Sequence, residues 1–366
     1  MADKTLKVIV IVVFLFALLQ GGSVFAKTTI DFTDTTGTGA DDIDYSDAEN
    51  AIQERSDLNG PIIADAFALA NIMGYPIGKS SIGGFPHFEA GLAVGAGFTN
   101  TVYYSDDEDA PEGSFPGIMA NPVIHMGFGL AGGFDVIGKL FYFNLNAYDP
   151  NLESSTATLK ELNMLSVGGK IRYNYIEDKT VIPFLLSFGG LTFSLGADVM
   201  IGKIGMTGNY NTDFEDITVE YDNPPGPPIE TYTVTTTFDG DYGATINWKI
   251  ISITAQAISY IDIMYLFSFY TGFGLTGNLG FFNTDFDGIG ILTTPDDPPA
   301  SSFTPQGQIG TLEFSSTNSY RPVYFIPTWI FGLELNLTVL KITGETMVNL
   351  RNGEDVTLQA GVRIQI

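Results

Sequence analysis

Cysteine is absent from this chain. That excludes disulfides, thiolate metal centres and the lipid-modified cysteine of a lipoprotein signal. Basic residues are scarce, with 16 Lys and Arg against 42 Asp and Glu and a net charge of −26. Nucleic-acid binding rests on Lys and Arg neutralising phosphates, so the balance argues against a nucleic-acid partner. Charged residues make up only 16% of the chain, below the roughly 25% of an ordinary soluble domain. Histidine occurs twice, at His87 and His125. No Ser or Asp spacing ties His125 to a triad, so it reads as a wall residue rather than a base. We expect no enzymatic activity, no cofactor and no specific metal site.

Long apolar runs are also missing after the amino terminus. Lys4 and Lys7 precede an unbroken apolar run from Val8 to Leu19, too short for the roughly 20 residues of a spanning helix. Val24-Phe25-Ala26 follows, with a small residue at the expected cut. Residues 1–26 therefore read as a secretory signal peptide. What the chain has in plenty is glycine (42), phenylalanine (28) and tyrosine (17).

Those residues fall in alternation. Leu358, Ala360, Val362, Ile364 and Ile366 are apolar, and Thr357, Gln359, Gly361, Arg363 and Gln365 lie between them. Successive side chains of a strand point to opposite faces, so this is a two-faced strand. The pattern recurs from Phe88 to Val102, around Ile124 to Leu130, Leu165 to Tyr175, Leu191 to Ile201, Tyr265 to Phe281 and Val323 to Leu337. Behind an export signal it predicts an outer-membrane β-barrel, apolar toward lipid and small or polar toward the lumen. The aromatics Tyr103, Tyr104, Tyr173, Tyr175, Phe281 and Phe282 stand where an interfacial girdle belongs. Two stretches break the pattern. Lys139 shares a phase with Phe141 and Phe143, and the phase slips near Ile250-Ile251, which predicts a bulge there.

Connections alternate long and short. Long ones are expected at 105–119, 148–157, 211–231 and 285–320, and short ones near 132–135, 177–179, 261–263 and 337–340. Extracellular loops and periplasmic turns alternate in that way. The count is about ten strands, within a range of about 10–14, since 180–210 and 232–260 are long for one strand each. Gly208–Phe214 and Gly280–Phe286 echo each other (GNYNTDF, GFFNTDF), through a duplicated hairpin or a shared rim solution. The long loops are acidic, notably Asp106 to Asp109, and could hold divalent cations loosely. Asn283 to Gly288 opens like a calcium loop, but Thr294 stands where a ligating Glu would be.

The lumen candidates are Glu89, His125, Lys170, Arg172, Asp198 and Glu334. With Lys341, Glu345 and Arg363 their mixed signs suit either a salt-bridged filling or a polar conduit. His125 is expected near the outer end of its strand. Residues 27–87 precede the barrel as a periplasmic or lumen plug segment. Ser46 could cap a helix through Leu58. A second segment carries Ile62, Ile63, Phe67, Leu69, Ile72 and Met73, too apolar to lie in water. It serves as a ligand-contacting plug in the lumen or as a helix packed beneath the barrel.

The sequence from Ala64 to Pro76, followed by the glycine-rich strand Gly91 to Gly97, resembles the FadL-type long-chain fatty-acid channel family. The resemblance implies an outer-membrane channel for a hydrophobic solute, and no ligand-binding residues carry over. The expectation is an all-β antiparallel transmembrane barrel over 88–366, passing a small hydrophobic or amphipathic solute. Its partners are then outer-membrane lipid and that solute. The alternative is a structural or surface-interaction barrel with acidic extracellular loops and no transport.

Overall fold

The computed structural model describes residues 29–33, 60–75, 82, 87–102, 114–146, 158–176, 179–221, 230–294 and 307–366. The expected signal peptide, the helix after Ser46, the acidic run at Asp106, Tyr103 and Tyr104 lie outside those residues. The strands are β1 (Thr29–Thr33), β2 (Phe88–Val102), β3 (Ser114–Gly129), β4 (Phe134–Asn146), β5 (Thr158–Ile176), β6 (Lys179–Ile182) and β7 (Leu186–Tyr221). They continue with β8 (Glu230–Ile263), β9 (Phe267–Thr294), β10 (Gly307–Tyr320), β11 (Phe325–Leu337), β12 (Leu340–Asn349) and β13 (Val356–Gln365). Among the described residues one α-helix, α1, spans 60–71.

Ten strands form a closed antiparallel ring in the order β2-β3-β4-β5-β7-β8-β9-β11-β12-β13, with β13 returning to β2. Closure follows from the solvent, because a backbone group left unpaired in lipid finds no water. The seam runs from Val356↔Phe98 to Gln365↔Glu89. At its end the Phe88 and Ile366 amides each donate to the other's carbonyl, at 2.8 and 2.9 Å. The protein is a transmembrane β-barrel of ten strands.

The wall is apolar outside and polar inside. Leu92 is 63% exposed and Phe273 60%, whereas Glu89 and His125 on the opposite face are each 1% exposed. Charged groups inside and bare hydrophobics outside suit lipid, not water.

The two irregular stretches have one cause. On β4, Val136, Leu140 and Tyr142 point outward, while Ile137, Lys139, Phe141 and Phe143 point inward. On β8, Ile246, Trp248 and Ile250 are buried inside and the register around them is unbroken. The expected bulge near Ile250 is therefore not formed. Register shifts lie instead between Phe188 and Leu191 and between Phe214 and Ile217 on β7. The inner faces of β4 and β8 are apolar because they pack against α1.

Short turns at 131–133, 183–185, 264–266 and 338–339 share one end of the barrel. The longer connections 103–113, 147–157, 222–229 and 295–306 share the other, with the tighter 350–355. Two expected long loops are mostly strand. β7 and β8 stay paired out to Tyr221↔Glu230, and β9 and β10 out to Thr294↔Gly307. β7 has 36 residues, β8 34 and β9 28, against the roughly 9–11 that cross a bilayer. The three continue beyond the wall as a projecting sheet, extended by β10 and then β1 through Thr29↔Ser315 to Thr33↔Thr311. Asn283 to Thr294 is strand in this sheet, so no calcium loop forms there.

Candidate functional site: the filled lumen

The helix α1 lies inside the ring, held by strands from all around it. At the long-loop rim, Gly60 sits on the ring of Tyr320, so closely that a Cβ would come within 2.4 Å of it. Thr99 Oγ1 donates to the Ile62 carbonyl at 3.1 Å. The Val323 amide donates to Asp65 Oδ1 at 2.6 Å. Burial raises the Asp65 carboxyl to about 6, with Asp355 adding to the rise and the Val323 amide and Arg351 opposing it.

Below the rim the contacts are apolar. The Phe67 ring meets Trp248 at 4.8 Å and Phe282 at 5.1 Å between centroids. Glycines on β2 make room for the helix. A Cβ at Gly97 would stand 2.5 Å from the Ala66 carbonyl oxygen, and one at Gly95 would stand 2.3 Å from Met73 Cβ. At the end of α1 polar groups take over. Asn71 Nδ2 donates to Ser252 Oγ at 2.9 Å, and Asn121 Nδ2 to the Ala70 carbonyl at 3.0 Å. The Lys139 ammonium donates to the carbonyls of Asn71 and Met73. A cation there satisfies carbonyls left over at a helix C-terminus. Tyr75 donates to Asp198 at 2.7 Å, with Lys139 and Lys170 over its ring at 4.8 and 4.5 Å. Gln359 donates to the Tyr75 carbonyl at 2.7 Å. The chain next reaches Ile82, whose amide donates to Asp135 at 3.2 Å and whose carbonyl accepts from Gln365 at 2.8 Å. Phe88 then begins β2 at the short-turn end.

The short-turn half of the lumen is charged. Arg363 bridges Glu334 at 2.6 Å and Glu89 at 3.5 Å. Arg172 bridges Asp135 at 3.3 Å and Glu89 at 3.9 Å. Lys341 meets Glu334 at 3.6 Å, and Tyr270 donates to Glu345 at 2.8 Å. These groups are buried. A buried charge is tolerated when an opposite charge and hydrogen bonds accompany it.

All six lumen candidates are buried inside the ring. Glu89 and Glu334 meet through Arg363, Arg172 joins them through Glu89, and Lys170 and Asp198 meet at Tyr75. His125 stands beside Gly91, pairs with Lys139 across the β3–β4 ladder and lies toward the short turns, because β3 runs down from the rim. Its expected place at the outer end is thus reversed. Of the six plug candidates, Phe67, Leu69, Ile72 and Met73 are buried in the lumen, and Ile62 and Ile63 are half-buried near the rim. Tyr173, Tyr175 and Phe281 face outward, but Phe282 turns inward onto Phe67 and belongs to no girdle.

Sequence reasoning missed Asn71, Tyr75, Asn121, Asp135 and Gln359. Asn71 carried a signal, as the one strongly polar residue between Ala66 and Met73. The others look like ordinary alternation or turn residues.

Three solved structures illustrate what the chain is similar to. The transport unit of the autotransporter AIDA-I from Escherichia coli has 11% identity, with 84% of this chain and 97% of that chain covered, at a TM-score of 0.28. The outer membrane protease OmpT from Escherichia coli has 11% identity, with 77% and 97% covered, at 0.28. The toluene transporter TodX from P. putida has 9% identity, with 80% and 89% covered, at 0.23. No curated protein matches the chain. The Lsa36-like family matches residues 61–366, a span that takes in α1 from its second residue and every strand of the ring, and the chain belongs to that family.

Proposed function

We propose that the protein is a sealed outer-membrane barrel that holds an acidic sheet out from the cell surface for contact with cationic partners. The observation that carries this reading is the length of β7, β8 and β9, about three times a membrane span. Strands kept paired so far beyond the wall build a rigid platform, which a pore does not need. Asp213, Glu215, Asp216 and Glu220 on β7 and Asp239 and Asp241 on β8 lie in it. Opposite charge is what such a surface recognises and steers toward. The filled lumen supports the same reading, since α1 and the charged half together occupy the path a solute would take. Enzymatic chemistry has no part in it. The long-loop end faces outward and the short turns face the periplasm.

Passage of a hydrophobic solute, which the FadL-type resemblance implies, is the competing reading and requires α1 to leave its seat. Single-channel recording on the purified chain in planar bilayers separates the two. The sealed barrel gives no conductance steps. Regular steps from the intact chain would overturn the proposal and restore passive passage. Trimming the hairpin beyond Gly208 and its partner Tyr242 should leave a folded barrel. It should also remove adhesion of protein-bearing vesicles to a polylysine-coated surface.

A further inference from the structure

The direction of α1 carries a consequence for how the protein assembles. The helix begins at the long-loop rim, where Gly60 meets Tyr320 and Asp65 meets Val323. It ends deep in the lumen near Asp198 and Gln359. The chain then descends past Ile82 and Asp135 to Phe88 at the short-turn end. The path from rim to β2 is therefore inside the ring, bounded by β2, β3, β4, β7, β8, β9 and β13. A second point on the same segment agrees. β1, far earlier in the chain, pairs with β10 in the projecting sheet beyond the rim. Two separate stretches before Phe88 thus stand on the long-loop side, while the strand that follows them starts on the other.

We propose that the barrel carries its own amino-terminal chain through the lumen, so that β1 and the start of α1 come to stand on the same face as the long loops. An exported chain arrives in the periplasm with its amino end first. To reach the observed arrangement, everything before Gly60 crosses the membrane by the lumen while the ring forms around it. The composition suits the passage. Residues 27–59 are rich in Thr and Asp, with Lys27 and Arg55 their only basic residues. The apolar, close-fitting residues begin where the chain stops inside, at Ile62. Glycines at 91, 95, 97, 117, 127 and 168 line the lumen side of β2, β3 and β5. A lumen wall of small side chains gives a strand of polypeptide room to slide before Phe67, Asn71 and Tyr75 lock it.

The crossing rests on the outward orientation of the long loops given under the proposed function; that the segment shares their face is independent of it. The absence of native cysteine makes the test clean. Single cysteines are placed at Ala40 (Ala40→Cys) and Pro61 (Pro61→Cys), with Gly226→Cys and Asp178→Cys as references for the two ends. Intact cells are treated with a membrane-impermeant maleimide, before and after the outer membrane is permeabilised. Ala40→Cys and Pro61→Cys should label together with Gly226→Cys, and Asp178→Cys only after permeabilisation. Labelling of Ala40→Cys in step with Asp178→Cys would overturn the threading, even with the orientation intact. Reversed references, with Ala40→Cys still following Gly226→Cys, would overturn the orientation and with it the crossing, and would keep only the shared face. If Ala40→Cys resists the reagent in both conditions, Pro61→Cys, on an exposed residue, decides alone.

Discussion

Toward the rim, the wall meets α1 with Phe141, Phe143, Trp248, Ile250 and Phe282. Toward the short turns, the space is filled by Glu89, Asp135, Arg172, Glu334 and Arg363. The two halves of one lumen thus use opposite means. The apolar half is held by a removable segment, and its loss of contact can be softened when the helix shifts. The charged half is built from the wall itself, on β2, β4, β5, β11 and β13, and each charge depends on a neighbour fixed in another strand. The first half should yield gradually under mutation, and the second abruptly.

The sharpest way to break that contrast is Arg363→Met. The arginine stands between Glu334 and Glu89, all of them about 1% exposed or less at the side chain. Removing it leaves two carboxylates buried with less opposing charge. Loss of one partner from a buried ion cluster costs about 3–5 kcal/mol. Urea unfolding of the barrel in detergent should show that loss. The triple change Glu89→Gln, Glu334→Leu and Arg363→Met removes this trio together, leaving Arg172 with Asp135 and Lys341 without Glu334, and should recover part of it. If the single variant costs less than the triple, the cluster does not act as a unit.

Phe67→Ala tests the other half. The ring packs between Trp248 and Phe282, and truncating a buried Phe costs about 3–5 kcal/mol, least where the site can collapse. A small shift of the helix toward the space left softens the loss, so about 3 kcal/mol is expected. The helix should also become open to a protease of broad specificity, while the ring keeps its folded band in detergent gels. Equal loss of helix and ring would mean that the two halves unfold as one.

The same contrast explains what the sequence could be read for. Alternation on the outer wall is legible because lipid is a uniform partner: Leu92, Val94, Phe269 and Phe273 need no particular neighbour. The inner wall of β4 and β8 is apolar to suit α1, which lies more than sixty residues away in the chain. With that partner unseen, Lys139 looked out of phase and Ile250 looked like a bulge. Phe282 reads as a girdle aromatic in the sequence for the same reason. The charged half was legible as a set of inward charges, since period two alone puts Glu89, Lys170, Arg172, Asp198 and Glu334 on one face. Their pairing was not, because it depends on how ten strands close. The projecting sheet reads as loop because its many Asp, Asn and Gly residues are turn formers, although Ile289 and Ile291 alternate there with Gly288 and Gly290. The end at which His125 sits follows from the direction of β3, which starts at Ser114 rather than after Met119.

The smallest effect belongs to the boundary where the apolar half opens to solvent. Asp65 is half-buried at the rim, and burial raises its carboxyl to about 6 from an ordinary 3.8. The folded state then binds a proton more tightly than the unfolded chain between those two values. Stability from this group is therefore present at low pH and falls as pH rises from about 4 to about 6, with no further change above. Asp65→Asn keeps an oxygen to accept from the Val323 amide and removes the charge. Near pH 4 the variant and the parent should match. Above pH 6.5 the variant should be the more stable, by about 1 kcal/mol once screening by nearby solvent is allowed for. The comparison of the two proteins at each pH cancels every other titrating group, so paired unfolding midpoints in detergent read Asp65 alone. A difference that does not change between pH 4 and pH 7 would mean that the rim is as wet as the loops beyond it. The apolar half of the lumen would then begin deeper, at Phe67.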